Sequence, residues 1–191
     1  MAFTTSVVGS RSRDYMRKIR QTRYLQEKQE FLQEAKSRVE KFSPESVGYI
    51  AGLIDGEGTI SFSFQSGARK LKSLTITSST MRPYIEIGNT NSECLEFVKN
   101  RLGFGKIRMK LPRKSDWSAS WTYGVHDLRQ VATLLSLVMQ YLIIKKRVAD
   151  LVYEYCLSRL FTVHPRPPFA NKWYSDREIE IAKEVKALQQ K

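Results

Sequence analysis

The sequence is poor in the side chains that build most structural metal sites. Its 191 residues include two cysteines, Cys94 and Cys156, and two histidines, His126 and His164. A structural zinc site needs four such ligands at short, regular spacings, and these four are scattered along the chain. The composition therefore excludes zinc fingers and disfavours a nuclease with a histidine metal centre. Cys156 lies in an apolar helical pattern and is expected in the core.

Long hydrophobic runs are also absent. No apolar run approaches the roughly 20 residues of a membrane span, so we expect no membrane partner. Residues 1–13 lack the apolar segment of a secretory signal. They contain serine and arginine and no acid, which is compatible with a transit peptide. The compartment stays undetermined, with an organelle (chloroplast or mitochondrion) or a prokaryotic cytoplasm favoured.

Acidic residues are scarce relative to basic ones. The chain has 32 Lys and Arg against 19 Asp and Glu, a net charge of +13. Lys99 to Lys114 carries seven basic residues and no acid. A charge of this size predicts a polyanionic partner, most simply nucleic acid. Nothing in the sequence indicates a small-molecule substrate.

The segment Pro44 to Glu57 (PESVGYIAGLIDGE) combines features that conflict chemically. Ser43 followed by Pro44 predicts a helix start, and the apolar residues that follow predict a buried helix. Yet the helix ends in Asp55 and Glu57, at the pole where the helix dipole disfavours negative charge. Glycines also recur every four residues, which leaves a bare stripe where a second backbone can approach. Acids at this pole make sense if a cation lies there. The stripe consists of Gly48, Gly52 and Gly56.

After Gly58 the apolar period changes from helical to two, which predicts strands. Ile60, Phe62 and Phe64 form the apolar face of the first strand, and Ser66-Gly67 is expected to be a turn. Met109 and Leu111 are likewise expected to face the core from a later strand. The further predicted strands are Lys70 to Thr77, Arg82 to Asn89 (a third strand or a continuation of the second), Gly105 to Leu111 and Trp117 to Val125.

The predicted order of elements is α-β-β-α-β-β-α-α, an α+β fold with one four-stranded antiparallel sheet and helices packed on one face. Residues 43–163 would form this core. Residues 1–42 are predicted to form a basic helical arm. The sequence favours neither of two arrangements for this arm, packing on the core of its own chain or lying along DNA phosphates. Residues 164–191 read as a linker and a helix, with Ser175 as its cap and Glu178 completing a capping box.

The uncovered face of this sheet is predicted to be polar and basic. Long hydrogen-bonding side chains alternate there with short hydroxyls. The plainer interpretation of this pattern is a sheet face that only contacts solvent. A twisted β-ribbon fits the major groove of DNA, where such groups read base edges. Taken together with the motif in Ile50 to Gly58, described next, this pattern favours a DNA-reading surface. Its candidate DNA-binding residues are Thr59, Ser61, Ser63, Gln65, Arg82, Tyr84, Glu86, Lys106, Arg108, Lys110, Ser118 and Ser120.

Ile50 to Gly58 (IAGLIDGEG) resembles the LAGLIDADG motif of homing endonucleases. Isoleucine replaces the first leucine, glycine the second alanine and glutamate the final aspartate. The motif occurs once, and the resemblance extends over about residues 43–161, since single-motif members have a similar lysine-containing stretch near Lys145. A buried helix with two solvated acids is the alternative interpretation of the motif alone.

The resemblance implies a homodimer in which two motif helices pack together and bring two copies of Glu57 close. The implied interface residues are Gly48, Ala51, Gly52 and Asp55, although Asp55 is also expected to cap or pack at the helix end. In this family the final acid of the motif binds a divalent metal with the carbonyl of the preceding residue, here Gly56. Two carboxylates this close repel each other unless a cation bridges them, and Mg²⁺ suits their hard oxygens, with Mn²⁺ as a possible substitute.

The implied activity is that of a Mg²⁺-dependent endodeoxyribonuclease. It would make a double-strand break in a long, pseudo-palindromic duplex DNA, and the gene would lie in an intron. Glu57, Lys145 and Asn89 are the implied catalytic residues: Lys145 would offset charge on the phosphate, and Asn89 would position water. The alternative is a catalytically inactive DNA- or RNA-binding protein of the same fold, such as an intron maturase or a regulator. Glutamate at position 57, in place of the commoner aspartate, is compatible with both the endonuclease and the inactive binding protein.

Overall fold

The computed structural model describes residues 6–71, 74–111, 119–161 and 174–190, without the side chains of residues 6–13, 36, 39–40, 65–71 and 74–79. Six helices and four strands lie within these ranges. The helices are α1 (Ser6–Lys41), α2 (Pro44–Glu57), α3 (Ser92–Leu102), α4 (Leu128–Val138), α5 (Lys146–Phe161) and α6 (Asp176–Leu188), and the strands are β1 (Gly58–Leu71), β2 (Leu74–Asn89), β3 (Lys106–Lys110) and β4 (Ser120–Val125). From α2 to α5 the order is the predicted one.

The four strands form one antiparallel sheet in the order β1-β2-β4-β3. Alternate residues of the strands are buried on one face, against α2, α4 and α5. The intervening side chains form the opposite face, which no described helix covers. The α+β prediction is therefore confirmed. The buried residues of the covered face include Ile60, Phe62, Ile85, Ile87, Tyr123 and Val125.

The first hairpin is longer than the sequence predicts. The ladder between β1 and β2 runs without interruption from Gly58 opposite Ile87 to Leu71 opposite Leu74. The predicted turn at Ser66-Gly67 is wrong, since both residues pair in the ladder. The predicted strand Lys70 to Thr77 is divided between β1 and β2, and Arg82 to Asn89 continues β2, which was one of the two alternatives. Cross-strand pairing has overridden the local turn preference of a Ser-Gly dipeptide. The connecting residues 72–73 lie outside the described part of the chain.

Three apolar side chains that were predicted to face the core are exposed. Phe64 is 60% exposed, Met109 55% and Leu111 76%. Phe64 lies one alternation beyond Phe62, the last core side chain of β1 that the structure describes. Met109 lies on β3, an edge strand, and Leu111 follows its end. Alternation thus gives the correct side of the strand, but not how far the helices extend over it.

The terminal helices both contact the central fold. The C-terminal part of α1 packs on α4 and α5 through Phe31 and Ala35, 3% and 7% exposed. Its residues 14–26 are mostly exposed. Helix α6 packs on α5 and β1 and begins with the predicted capping box of Ser175 and Glu178. Among the described residues, no helix is long and apolar enough to span a membrane.

Candidate active site and nucleic-acid interface

Helix α2 brings the motif to one edge of the sheet. The Ser43 hydroxyl accepts a hydrogen bond from Ser46 N at 3.3 Å, and Pro44 occupies the first turn, as the sequence predicts. The helix runs directly into β1 at Gly58. A Cβ at that position would lie 2.6 Å from the Ile54 carbonyl oxygen, so only glycine fits this turn from helix to strand. The end of α2 is therefore fixed against the start of β1.

One face of α2 is packed and the other is bare. Val47, Ile50 and Ile54 are buried in the core, and Ala51 is fully buried there as well. By contrast, a Cβ placed on any glycine of the stripe would meet no atom within 4 Å. The stripe is thus open surface, whereas Ala51 belongs to the core of its own chain.

Asp55 binds the backbone of residues 143–145, which precede α5, within its own chain. Its carboxylate accepts hydrogen bonds from Ile143 N at 2.7 Å, Ile144 N at 3.2 Å and Lys145 N at 2.9 Å. Partial burial raises the pKa of Asp55, but these donors and the Lys145 ammonium outweigh it, so the pKa lies below its ordinary value of 3.8. The carboxylate therefore stays ionised and holds the segment before α5 against the end of α2.

Lys145 provides a cation at the acidic end of the helix. Its Nζ donates to the carbonyl oxygen of Ile54 at 2.9 Å and to that of Asp55. These are carbonyls of the last helical turn, where a positive charge is favourable. The conflict seen in the sequence is thus resolved in part within one chain, because a lysine offsets the dipole beside the two acids.

Glu57 differs from its neighbours. Its side chain is exposed, and within the described part of the chain its carboxylate makes no hydrogen bond or salt bridge. Nor does any group of three or more His, Cys, Asp or Glu residues there suit a metal ion. Asn89 lies two residues beyond Ile87, which pairs with Gly58, and its Oδ1 accepts from Asn91 N at 2.8 Å. At this corner, the described part of one chain therefore offers the Glu57 carboxylate, with the Gly56 carbonyl preceding it.

A cleft of about 470 Å³ opens beside this corner, between the edge strand β1, residues 144–148 and the end of α6. Arg147 is held there by Glu184, at 2.6 and 3.0 Å. Gln189 donates to the Ile60 carbonyl at 2.6 Å and accepts from the Ser61 hydroxyl at 3.0 Å. Ser61, a predicted DNA contact, therefore already has a partner from α6.

The open face of the sheet brings together most of the predicted DNA-binding residues. Ser61 pairs with Tyr84 and Ser63 with Arg82 across β1 and β2. The predicted contacts Gln65 (its side chain) and Ser118 lie outside the described part of the chain. The residues of this group that the structure places on or beside the open face are Thr59, Ser61, Ser63, Arg82, Tyr84, Glu86, Lys106, Arg108, Lys110 and Ser120.

Sequence reasoning missed one residue of this face, His126. It directly follows β4 and lies over Gly124, with its ring stacked on Tyr84 at 5.8 Å between centroids. Its Nε2 lies 3.5 Å from Glu86 Oε1. The alternation Thr122, Gly124, His126 was visible in the sequence and puts His126 on the polar face. The helical pattern instead predicts a helix that begins at His126, whereas α4 begins at Leu128.

Solved structures with the same architecture include an archaeal intron-encoded homing endonuclease complexed with DNA. It matches with a TM-score of 0.57 at 22% sequence identity, over 74% of this chain and 82% of that one. The homing endonuclease I-TnaI matches at 0.54 and 14%, over 78% and 95%. The LAGLIDADG homing endonuclease I-SmaMI bound to cleaved DNA matches at 0.51 and 20%, over 74% and 42%. This chain has the LAGLIDADG homing endonuclease fold.

At these identities the likeness concerns the fold alone. No protein-family model and no curated protein sequence matches the chain. Within the LAGLIDADG fold, the motif helix, the corner at Glu57 and the open sheet face are the features from which a function must be argued.

Proposed function

We propose that this protein is a homodimeric, metal-dependent endonuclease that makes a double-strand break in a pseudo-palindromic DNA duplex. The observation that carries the proposal is Glu57, an exposed carboxylate without a partner among the described residues. It lies beside two residues, Asp55 and Lys145, that are held by backbone contacts. A free carboxylate on a rigid support is what a metal ligand requires. Structures of homing endonucleases of the same fold complexed with DNA support duplex DNA as the ligand.

The proposed dimer forms through the glycine stripe of α2. Because the stripe is open and carries no side chains, a second copy of α2 can approach it closely. Two-fold symmetry would place the same face of each helix against the other and bring the two Glu57 carboxylates together. Of the predicted interface residues, Gly48 and Gly52 fit this role, whereas Ala51 and Asp55 make their contacts within their own chain. A symmetric dimer favours a pseudo-palindromic target.

The donor set of this dimer fits a hard divalent cation. Each chain would contribute the Glu57 carboxylate and the Gly56 carbonyl, which are the oxygen ligands that Mg²⁺ prefers, with Mn²⁺ as a substitute. When bound, such a cation supplies an acidic water and stabilises charge on the leaving oxygen of a phosphodiester. The longer side chain of glutamate, compared with aspartate, gives Glu57 more reach.

Lys145 and Asn89 would act from the same corner. Lys145 fixes the end of α2 through two carbonyls and provides positive charge near the cleaved phosphate. The Oδ1 atom of Asn89 is engaged by Asn91 N, so its amide nitrogen remains to donate to a water or a phosphate oxygen. The open sheet face would lie in the major groove, with Lys106, Arg108 and Lys110 extended toward the DNA.

The test begins with selection of bound duplexes from a randomised library, followed by a cleavage assay. If the gene lies in an intron, the joined flanking exons supply the target directly. Wild-type protein should cut both strands in Mg²⁺ and stop when the metal is chelated. Replacing Glu57 by Gln should abolish cleavage and leave duplex binding within about tenfold, since only metal ligation is lost.

Glu45→Gln is the matched control, because it removes the same charge from the exposed first turn of the same helix. It should cut like wild type. Cleavage by Glu57→Gln at the wild-type rate would contradict the mechanism. Stimulation of RNA splicing that survives loss of Glu57, without any cleavage, would instead identify the maturase alternative.

A further inference from the structure

The open sheet face contains a cluster around His126 that the proposed function does not use. Gly124 pairs with Glu86 on one side and with Lys106 on the other, and it leaves a gap in the row of side chains between them. A Cβ at Gly124 would lie 2.9 Å from His126 Nε2 and 3.6 Å from Glu86 Cγ. The missing side chain is therefore what allows the imidazole ring to lie back across β4.

Two side chains border the ring in this gap. Tyr84 stacks against it at 22° between ring planes, and Glu86 faces its Nε2. A carboxylate attracts a donor, so Glu86 favours the imidazole tautomer that carries its proton on Nε2. In that tautomer Nδ1 keeps a lone pair, and Nδ1 makes no hydrogen bond to any described residue. Nδ1 can then act as an acceptor on this face.

The neighbouring side chains are mostly hydrogen-bond donors, so an acceptor at this position would recognise different bases. His126 borders two clefts of the face, of about 740 and 160 Å³, both also lined by Lys106 and Arg108. These cations are donors, as is Arg82 in the larger cleft, and donors suit guanine. Two carboxylates lie here. Asp127 lines the larger cleft and accepts hydrogen bonds from Arg129 N and Gln130 N, whereas Glu86 lines the smaller cleft, where facing DNA phosphates without a partner would cost it free energy.

We propose that His126 is a specificity-determining residue, whose Nδ1 accepts a hydrogen bond from the amino group of adenine or cytosine in the major groove, and that Glu86 is its positioning residue rather than a base contact. The inference rests on the proposed function, since it requires that the open face reads duplex DNA. It reassigns Glu86, which sequence reasoning takes as a direct reader of the target.

The experiment is a randomised-target binding profile of wild type, His126→Ala, Glu86→Gln and the double variant. Wild type should prefer adenine or cytosine at one base pair of each half-site. His126→Ala should reduce that preference by roughly 5- to 160-fold, the range for one mismatched base pair. Glu86→Gln should reduce the preference at the same base pair, and the double variant should lose no more than His126→Ala alone. That non-additivity marks a residue acting through another.

Two further variants separate position from charge. Gly124→Ala alters no charge and no side-chain hydrogen bond, but it displaces the ring, so it should change the preference at the same base pair. Glu96→Gln removes an exposed carboxylate from α3, away from His126, and should leave the profile unchanged.

The outcomes are distinguishable. A wild-type protein that binds no duplex DNA would overturn the proposed function together with this inference. If His126→Ala or Gly124→Ala leaves the base preference unchanged, the inference is wrong and the proposed function is unaffected. The same holds for a Glu86→Gln profile that relaxes a different base pair, because Glu86 would then be reading DNA itself.

Discussion

The corner at the end of α2 and the open face of the sheet both present polar side chains to solvent, but they hold them differently. In the corner, Asp55 accepts from three backbone N–H groups and Lys145 donates to two carbonyls. On the face, Lys106 and Arg108 extend from an edge strand with their side chains exposed. Groups fixed by backbone contacts suit chemistry that needs one geometry, whereas long exposed side chains can adapt to a ligand. Substitutions should therefore cost stability and assembly in the corner, and selectivity on the face.

The largest effect is expected for Gly52→Val, beside the corner. The substitution adds a branched side chain to the open stripe, so it should cost several kcal/mol of association and leave the chain folded. Sedimentation velocity should show a monomer, with a melting temperature close to that of unassociated wild type. Ala51→Val is the contrast: it overfills the core and should lower the free energy of unfolding by about 1–3 kcal/mol. If Gly52→Val forms a dimer as stable as that of the wild type, the glycine stripe is not the interface.

Asp55→Asn should cost about 1–3 kcal/mol of unfolding free energy at neutral pH, because three N–H groups lose a charged acceptor. The pKa of Asp55 is lowered in the folded state, so its contribution is present above the ordinary value of 3.8 and is lost as the pH falls through the lower folded pKa. The difference between wild type and variant should therefore shrink as the pH falls below 3.8.

Denaturant titrations at a series of pH values measure this difference. Asp150→Asn, an exposed aspartate on α5, is the matched control and should change stability by less than about 0.5 kcal/mol at each pH. A gap between wild type and Asp55→Asn that stays constant into acid would mean that the variant's cost comes from packing rather than from the charge.

The smallest effect on stability is expected on the sheet face. Arg108→Ala should relax the preference at particular base pairs by roughly 1–3 kcal/mol and leave unfolding nearly unchanged. Arg17→Ala removes the same type of side chain from the exposed part of α1. It should weaken binding to all DNA sequences alike or leave binding unchanged. Binding profiles of both variants against randomised targets, at two salt concentrations, provide the measurement. If every preference survives Arg108→Ala, the basic strand only neutralises phosphates.

The parts of the fold that the sequence predicts correctly are those fixed by local chemistry. Ser43 and Pro44 start α2 as expected, and the alternation in β2 puts Ile85 and Ile87 in the core. The hairpin turn was misplaced because pairing over the whole length of two strands outweighed a favourable dipeptide at 66–67. Local rules describe what a segment prefers, and the ladder decides where the chain reverses.

The candidate site was only partly predictable for a similar reason. The motif identified Glu57 and the glycine stripe, because both are encoded within a few residues. The contact between Lys145 Nζ and the Ile54 carbonyl joins residues 91 positions apart, which no periodicity reports. The alternation in β4 reports the face on which His126 lies, but not that its ring lies back over β4, which depends on the absence of a side chain at Gly124.

The contact of Gln189 with β1 has a consequence for solubility. β1 is an edge strand, and the unpaired carbonyls of such a strand can add to the sheet of another molecule and begin aggregation. Gln189 occupies the Ile60 carbonyl, near the end of β1 that adjoins α2. The end of the C-terminal helix thus blocks part of the sheet edge from pairing with another molecule, whereas the glycine stripe, the proposed dimer interface, stays open. Truncated forms ending before α6 should therefore tend to precipitate at concentrations at which the full chain stays in solution.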